Sequence, residues 1–369
     1  MTGRTGGWNL STLGVVTDAQ GQEDEKGLGV FRVVRNLGEE STVGFLGTGG
    51  RPEGSGSAST WGVDTHLANS TAFGEDSGWN LWAWGSGTQR DDPGGNGLAY
   101  GAQGEYFSRE WVTRLSYREI DPDYRPELGF VRRVDERNLR YLLRYRLRFD
   151  EGPIRDITWR FAPEATWLTS GEIDNWRLPL RVVELVLTTE DAIEYNLTQS
   201  FERIVDPFEI SPGIDVSAGD YDSLQHNLEF RFSDKRPLSG EIRLTLGDLY
   251  SGTFERTGVD ALWIPFPLLH LGSAYEHVDA DLDEGSFTLD LYEVRVDLQF
   301  TTDITWNNFV QYDTESKDLG LQNRFRWILQ PGSDLFLLAS LGWNQPDGTN
   351  TFVPTTQDVV LKLAWSFRF

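Results

Sequence analysis

Arg140, Arg144, Arg146 and Arg148 fall at even positions of a segment whose odd positions are Tyr141, Leu143, Tyr145, Leu147 and Phe149. A guanidinium is always charged and carries five donors in a fixed fork, so several on one side of an element can sort ions and solutes by charge. The arrangement recurs at Arg114 and Arg118, at Arg231, at Glu293, Arg295 and Asp297, and at Arg324 and Arg326, with Arg160 and Arg243 in similar settings. Two readings follow. The charges form rings at a pore constriction, or they pair with Glu229, Glu241, Glu293 and Asp297 and fill an interior, because an unpaired buried charge is costly. The residues alone leave both open.

Other chemistries find less support. A glycosidase pair needs two carboxylates at a defined separation, and among 57 acidic residues nothing singles out Glu229, Glu241 or Glu293. Segment 279–290 has part of a calcium-loop pattern. However, Glu284 stands where the sharp-turn glycine belongs and Asp290 where the twelfth-position Glu belongs. A solvated acidic loop is expected, and weak surface calcium is the one cofactor left open. His66, His226, His270 and His277 lack zinc spacing. The chain has no cysteine, hence no disulfide framework or thiolate site. No nucleophile elbow, phosphate-binding loop or dinucleotide fingerprint occurs. Catalytic, cofactor and metal residues are therefore all assigned as none.

The elements that would position the arginines are strands. Period-two alternation places Tyr292, Val294, Val296, Leu298 and Phe300 against Glu293, Arg295, Asp297 and Gln299. Leu224, His226, Leu228, Phe230 and Phe232 likewise oppose Gln225, Asn227, Glu229 and Arg231. About 18–20 such segments run roughly 9–15 residues each, against the 9–11 that cross a bilayer at a tilt and the five or six of a soluble sheet. Compact turns at 150–153, 188–191, 300–303 and 330–333 contrast with longer polar stretches at 18–27, 49–59, 89–97, 278–286 and 344–356. Segment 119–137, with two prolines, a glycine and mixed charge, reads as a loop at the mouth or in the lumen of a barrel.

Composition agrees with this pattern. Only 38% of residues are hydrophobic, yet 13% are aromatic, as girdles at two membrane interfaces would require. No stretch approaches the length of a transmembrane helix. A formal net charge of -24 excludes nucleic acid as a partner. The N-terminus lacks a basic-then-apolar signal, so a fragment with missing upstream sequence is expected. At the other end Val359, Leu361, Leu363, Trp365, Phe367 and Phe369 form one face of a strand that stops on an aromatic. A soluble sheet seldom leaves such an edge bare, whereas a barrel closes it. Trp365, Phe367 and Phe369 are therefore read as the barrel-closing and assembly signal.

Pro126-Glu-Leu-Gly-Phe-Val-Arg-Arg133, Asn308-Phe-Val-Gln-Tyr312, Leu321-Gln-Asn-Arg-Phe-Arg-Trp327 and Gln330-Pro-Gly-Ser-Asp-Leu-Phe336 carry a resemblance. They resemble an uncharacterised bacterial outer-membrane β-barrel family, a domain of unknown function. That family commonly lies C-terminal to a family-nine-like carbohydrate-binding module, which this chain lacks. The resemblance implies an association with carbohydrate but supplies no catalytic residues. The expectation is an all-β, antiparallel transmembrane β-barrel, residues 1–369 as one domain, in the outer membrane of a Gram-negative bacterium. Its expected role is a porin-like conduit or surface receptor, not an enzyme. Its expected partners are outer-membrane lipid and the barrel-assembly machinery, with glycans or a carbohydrate-binding module left open. The rival readings are a soluble all-β carbohydrate-active hydrolase and a non-conducting membrane anchor.

Overall fold

The computed structural model describes residues 1–17, 26–50, 57–91, 96–126, 128–346 and 348–366. Every regular element among them is a strand. The first eleven are β1 (Thr2–Thr5), β2 (Trp8–Thr17), β3 (Lys26–Leu37), β4 (Ser41–Gly50), β5 (Ala58–Asn69), β6 (Gly78–Arg90), β7 (Gly97–Phe107), β8 (Trp111–Ile120), β9 (Glu136–Arg148), β10 (Ile154–Phe161) and β11 (Glu164–Trp167). Next come β12 (Ile173–Leu187), β13 (Ala192–Ile204), β14 (Phe208–Ser211), β15 (Ile214–Val216), β16 (Gly219–Phe232), β17 (Leu238–Leu249) and β18 (Gly252–Phe266). The last are β19 (Leu269–Leu282), β20 (Gly285–Gln299), β21 (Ile304–Asp313), β22 (Asp318–Gln330), β23 (Ser333–Asn344) and β24 (Val353–Ala364).

Twenty-two strands belong to one sheet, and β14 pairs with β15 in a separate hairpin. The count exceeds the expected 18–20 because β1, β11, β14 and β15 are only three or four residues long, too short to show alternation. Segment 278–286 also departs from expectation. It is strand on both sides of a turn at Asp283 and Glu284, where a long polar loop was expected. Its alternate aspartates imitate a loop's composition while keeping a strand's period.

The chain forms two compact units. Unit 1 comprises Met1–Leu147, Thr158–Leu180 and Gln199–Arg203; unit 2 comprises Arg148–Ile157, Arg181–Thr198 and Ile204–Phe369. In each unit consecutive long strands pair antiparallel with their neighbours. In unit 1 the connections 6–7, 38–40, 70–77 and 108–110 share one end, and the described parts of the 121–135 connection lie at the other. In unit 2 one end has 233–237, 267–268, 300–303 and 331–332. The opposite end has 250–251, 283–284 and 314–317 together with the longer 205–218 and 345–352.

Register fixes which residues share a face. In unit 2, Arg243 lies opposite Gly258, which lies opposite Glu276, while Ile242, Val259 and Tyr275 form the neighbouring row on the other face. The apolar face is the exposed one. Val294 is 50% exposed and Trp263 48%, and in unit 1 Val63 is 50% exposed. Along β20 the exposed apolar run begins at Tyr292 and reaches Phe300 just past the strand's end, an aromatic at each limit. On β19 the corresponding face is Leu269, Leu271, Ser273 and Tyr275, then His277, Asp279 and Asp281. A face that is mainly apolar up to its aromatic limit and then turns acidic suits a hydrocarbon slab bounded by interfaces.

Candidate functional site

The polar faces are the candidate site. By register the charged candidates share a face within each run of paired strands: Arg114, Arg118, Arg140, Arg144, Arg146 and Arg148 on β8 and β9, and separately Arg231 and Arg243 on β16 and β17, Glu293, Arg295 and Asp297 on β20, and Arg324 and Arg326 on β22. Alternation alone produces this placement, since each stands at an even offset from its strand-mates.

Pairing with nearby carboxylates decides what six of these charges do. In unit 1, the Arg114 Nε donates to Glu105 at 2.8 Å and the Arg118 Nε to Glu136 at 3.1 Å. The Arg140 Nε donates to Glu164 at 2.7 Å. Glu136 is buried, as is Asn138, whose amide donates to Glu164 and to the Thr166 hydroxyl. In unit 2, Arg231 holds Glu229 at 2.7 Å, Arg243 holds Asp260 at 2.5 Å, and Arg326 holds Asp334 at 2.8 Å. Arg295 lies over the Phe309 ring, and Arg324 over Phe336. Asp297 accepts from the Asn307 amide at 2.8 Å. Partly buried pairs of this kind compensate the guanidiniums that make them, so this part of the face carries both signs interleaved, whereas the buried Arg144 Nε has no hydrogen-bond partner among the described residues.

The anticipated partners account for part of the pairing. Glu229 pairs with Arg231 and Glu241 with Arg243 as expected, but Arg243 also takes Asp260, and Arg118, Arg140 and Arg326 take Glu136, Glu164 and Asp334. Those carboxylates sit across the strand pairing or diagonal to it. Only the register reveals them.

Two segments pack against the polar faces. In unit 1 the 121–135 connection folds back so that Tyr124 is buried with Ala99 and Ile120, with Val131 and Val134 against them. The Tyr124 hydroxyl donates to the Ser86 hydroxyl at 2.8 Å, and the Arg125 N–H donates to Thr88. Gly97 permits this approach, because a Cβ there would stand 2.4 Å from the Tyr124 nitrogen. In unit 2 the β14–β15 hairpin buries Val216 completely, and Ile214 lies where a Cβ on Gly285 would touch it. The Ser211 hydroxyl donates to Glu315.

Tryptophans on the polar face are what sequence reasoning missed. Trp82 and Trp84 share that face with Asn80, Ser86 and Thr88 on β6. Their company at period two was the available signal. The acidic 279–285 stretch is strand and turn. Asp279 accepts from Thr288 and Glu284 from Ser251, and no cluster of three ligating side chains forms among the described residues. Trp365 follows β24 and is exposed, whereas Phe367 and Phe369 lie outside the described residues.

No family model matches the chain, and no curated protein matches it. Solved structures do. A variant of the ferric enterobactin receptor PfeA from Pseudomonas aeruginosa aligns over 96% of this chain and 72% of its own, at 11% identity with a TM-score of 0.55. The ferric-catecholate import receptor Fiu from E. coli K12, in its open form, aligns over 98% of this chain and 74% of its own, at 10% identity with a TM-score of 0.53. At that identity the likeness is one of fold. The fold is an antiparallel transmembrane β-barrel of the outer-membrane type, and its exposed apolar band puts the chain in the bacterial outer membrane.

Proposed function

We propose that this chain is an outer-membrane receptor or conduit whose polar face lines the lumen. The observation that carries the reading is the division of faces: within each unit the charged candidates lie on the polar face, while large apolar side chains are exposed on the other. The 121–135 segment and the β14–β15 hairpin narrow the lumen from the ends that bear the longer connections, which face outward in this reading. Paired lumen charges make the conduit weakly ion-selective, because a compensated arginine exerts little net field. The structurally similar proteins are a receptor and an import receptor, which supports transport over catalysis. Outer-membrane lipid and the barrel-assembly machinery are the partners that go with it.

Planar-bilayer conductance and vesicle swelling test the proposal. Expected are discrete conductance steps with a reversal potential near zero in a salt gradient, or solute entry into vesicles. Silence in both assays, across salts and voltages, would return the chain to the role of a membrane anchor.

A further inference from the structure

The polar face of unit 1 contains a feature that ion pairing does not explain. Trp82 and Trp84 point to the side otherwise occupied by charged and amide groups. Trp82 stacks on His66 with ring centroids 4.8 Å apart and parallel planes. Trp84 lies over Gly101, where a Cβ would come within 2.9 Å of the indole nitrogen. Both rings are therefore held by their surroundings. His66 contacts the Asn80 side chain at 3.1 Å, and the Asn80 amide donates to Glu105, which Arg114 also holds.

The two rings border a cavity of about 320 Å³ whose other side is polar. That volume falls at the small end of ligand pockets. Gln103 and Ser116 line it, and neither has a hydrogen-bond partner among the described residues. Asn138 and the guanidiniums of Arg118 and Arg140 complete the wall. Around it three arginines, Arg114, Arg118 and Arg140, are matched by three glutamates, Glu105, Glu136 and Glu164.

We infer that this cavity binds a neutral saccharide, a reading that rests on the proposed conduit and names its solute class. A pyranose ring presents a C–H face that lies against the electron-rich face of an indole. Its hydroxyls each donate and accept, as the free amide of Gln103 and hydroxyl of Ser116 require. Charge settles the class. An anionic ligand would have to take Arg118 or Arg140 from a carboxylate already bound, leaving that carboxylate uncompensated. A neutral polyol leaves every pair intact.

The test uses the whole chain, folded in detergent and titrated calorimetrically with a panel of neutral hexasaccharides: malto-, cello-, xylo- and laminari-linked. Ferric enterobactin serves as the anionic comparator. At least one hexasaccharide is expected to bind, about tenfold more weakly for each of Trp82→Ala and Trp84→Ala. Trp61→Phe, on the opposite face, is expected to leave binding unchanged. Gln103→Leu keeps the bulk but removes the amide, so its weaker binding tests the site even if a tryptophan variant fails to fold. Absence of binding across the hexasaccharide panel by a chain that still conducts would overturn the inference and leave the conduit standing. Binding of ferric enterobactin alone would overturn the charge argument. A chain that binds saccharide but neither conducts nor admits solute would refute the conduit while the site survives.

Discussion

Val296→Arg is the sharpest test of the face assignment. Tyr292 and Phe300 limit the exposed apolar run, and Val296 stands midway between them. Eight residues at about 3.4 Å each, tilted by about 40°, climb about 21 Å, close to the roughly 25 Å apolar band of an outer-membrane barrel. Val296 is thus near the bilayer midplane, where an arginine on the lipid face costs about 2–4 kcal/mol. That corresponds to about a 30- to 900-fold change in the unfolding equilibrium constant. Thr288→Arg supplies the internal control. Thr288 shares the same face of β20 but lies four residues beyond Tyr292, so its cost falls to about 0–1 kcal/mol. Urea unfolding of the chain in phospholipid vesicles, followed by tryptophan fluorescence, measures both. If Val296→Arg is as stable as the wild type, or if the two variants are equally impaired, the lipid-facing assignment is wrong. A soluble sheet would predict that result, since an arginine facing water there would be harmless.

Three further outcomes are expected. Glu136→Gln leaves the half-exposed Arg118 without its carboxylate and should cost about 1–2 kcal/mol, discounted for solvent screening; in a double-mutant cycle with Arg118→Gln most of that cost should be coupling energy. Gly97→Val should push the Tyr124 backbone away, so trypsin should cut faster at Arg132 and Arg133, and unchanged protection would count against the packed segment. In the turn after β12, Arg236, Thr189 and the Ser233 N–H hold the Asp191 carboxyl down to about 2. Its folded value is below the ordinary 3.8, so the contact stabilises fully above that pH and is lost as pH falls through about 2. Carbon-13 titration of the Asp191 carboxyl should give a midpoint near 2; one near 3.8 would remove the contact from the folded state.

Strand faces were legible because a single rule, period two, governs them. It placed Arg144 with Arg146 and Glu293 with Arg295 without any knowledge of the sheet. The partners of those charges were not legible. Glu136 and Glu164 lie 18 and 24 residues from Arg118 and Arg140, and which carboxylate meets which guanidinium depends on register across strands. The same limit hid the Trp82 and Trp84 platform. A tryptophan in an aromatic-rich chain reads as girdle until the register puts it opposite Gln103 and Gly101. The short strands failed for the opposite reason: three or four residues are too few to carry a period.

Where the acidic excess sits bears on what the conduit admits. The six ion pairs on the polar face, those of Arg114, Arg118, Arg140, Arg231, Arg243 and Arg326, balance sign for sign. They contribute nothing to the net charge of -24, which must arise elsewhere. In unit 2 part of it lies beyond Tyr275 and Tyr292, where Asp279, Asp281 and Asp290 on the strands join Asp283 and Glu284 in the turn. At physiological salt such a field reaches about 8 Å before screening, far enough to act on a solute at the approach but not on one already inside. Anions are therefore discouraged at the rim and offered no free cation on the paired parts of the polar face. A neutral ligand meets neither obstacle. The likeness to the ferric enterobactin and ferric-catecholate receptors is one of fold, and their ligands do not come with it. The paired charges around the Trp82 and Trp84 cavity and the acidic rim favour the same uncharged class of solute that the two tryptophans favour by shape.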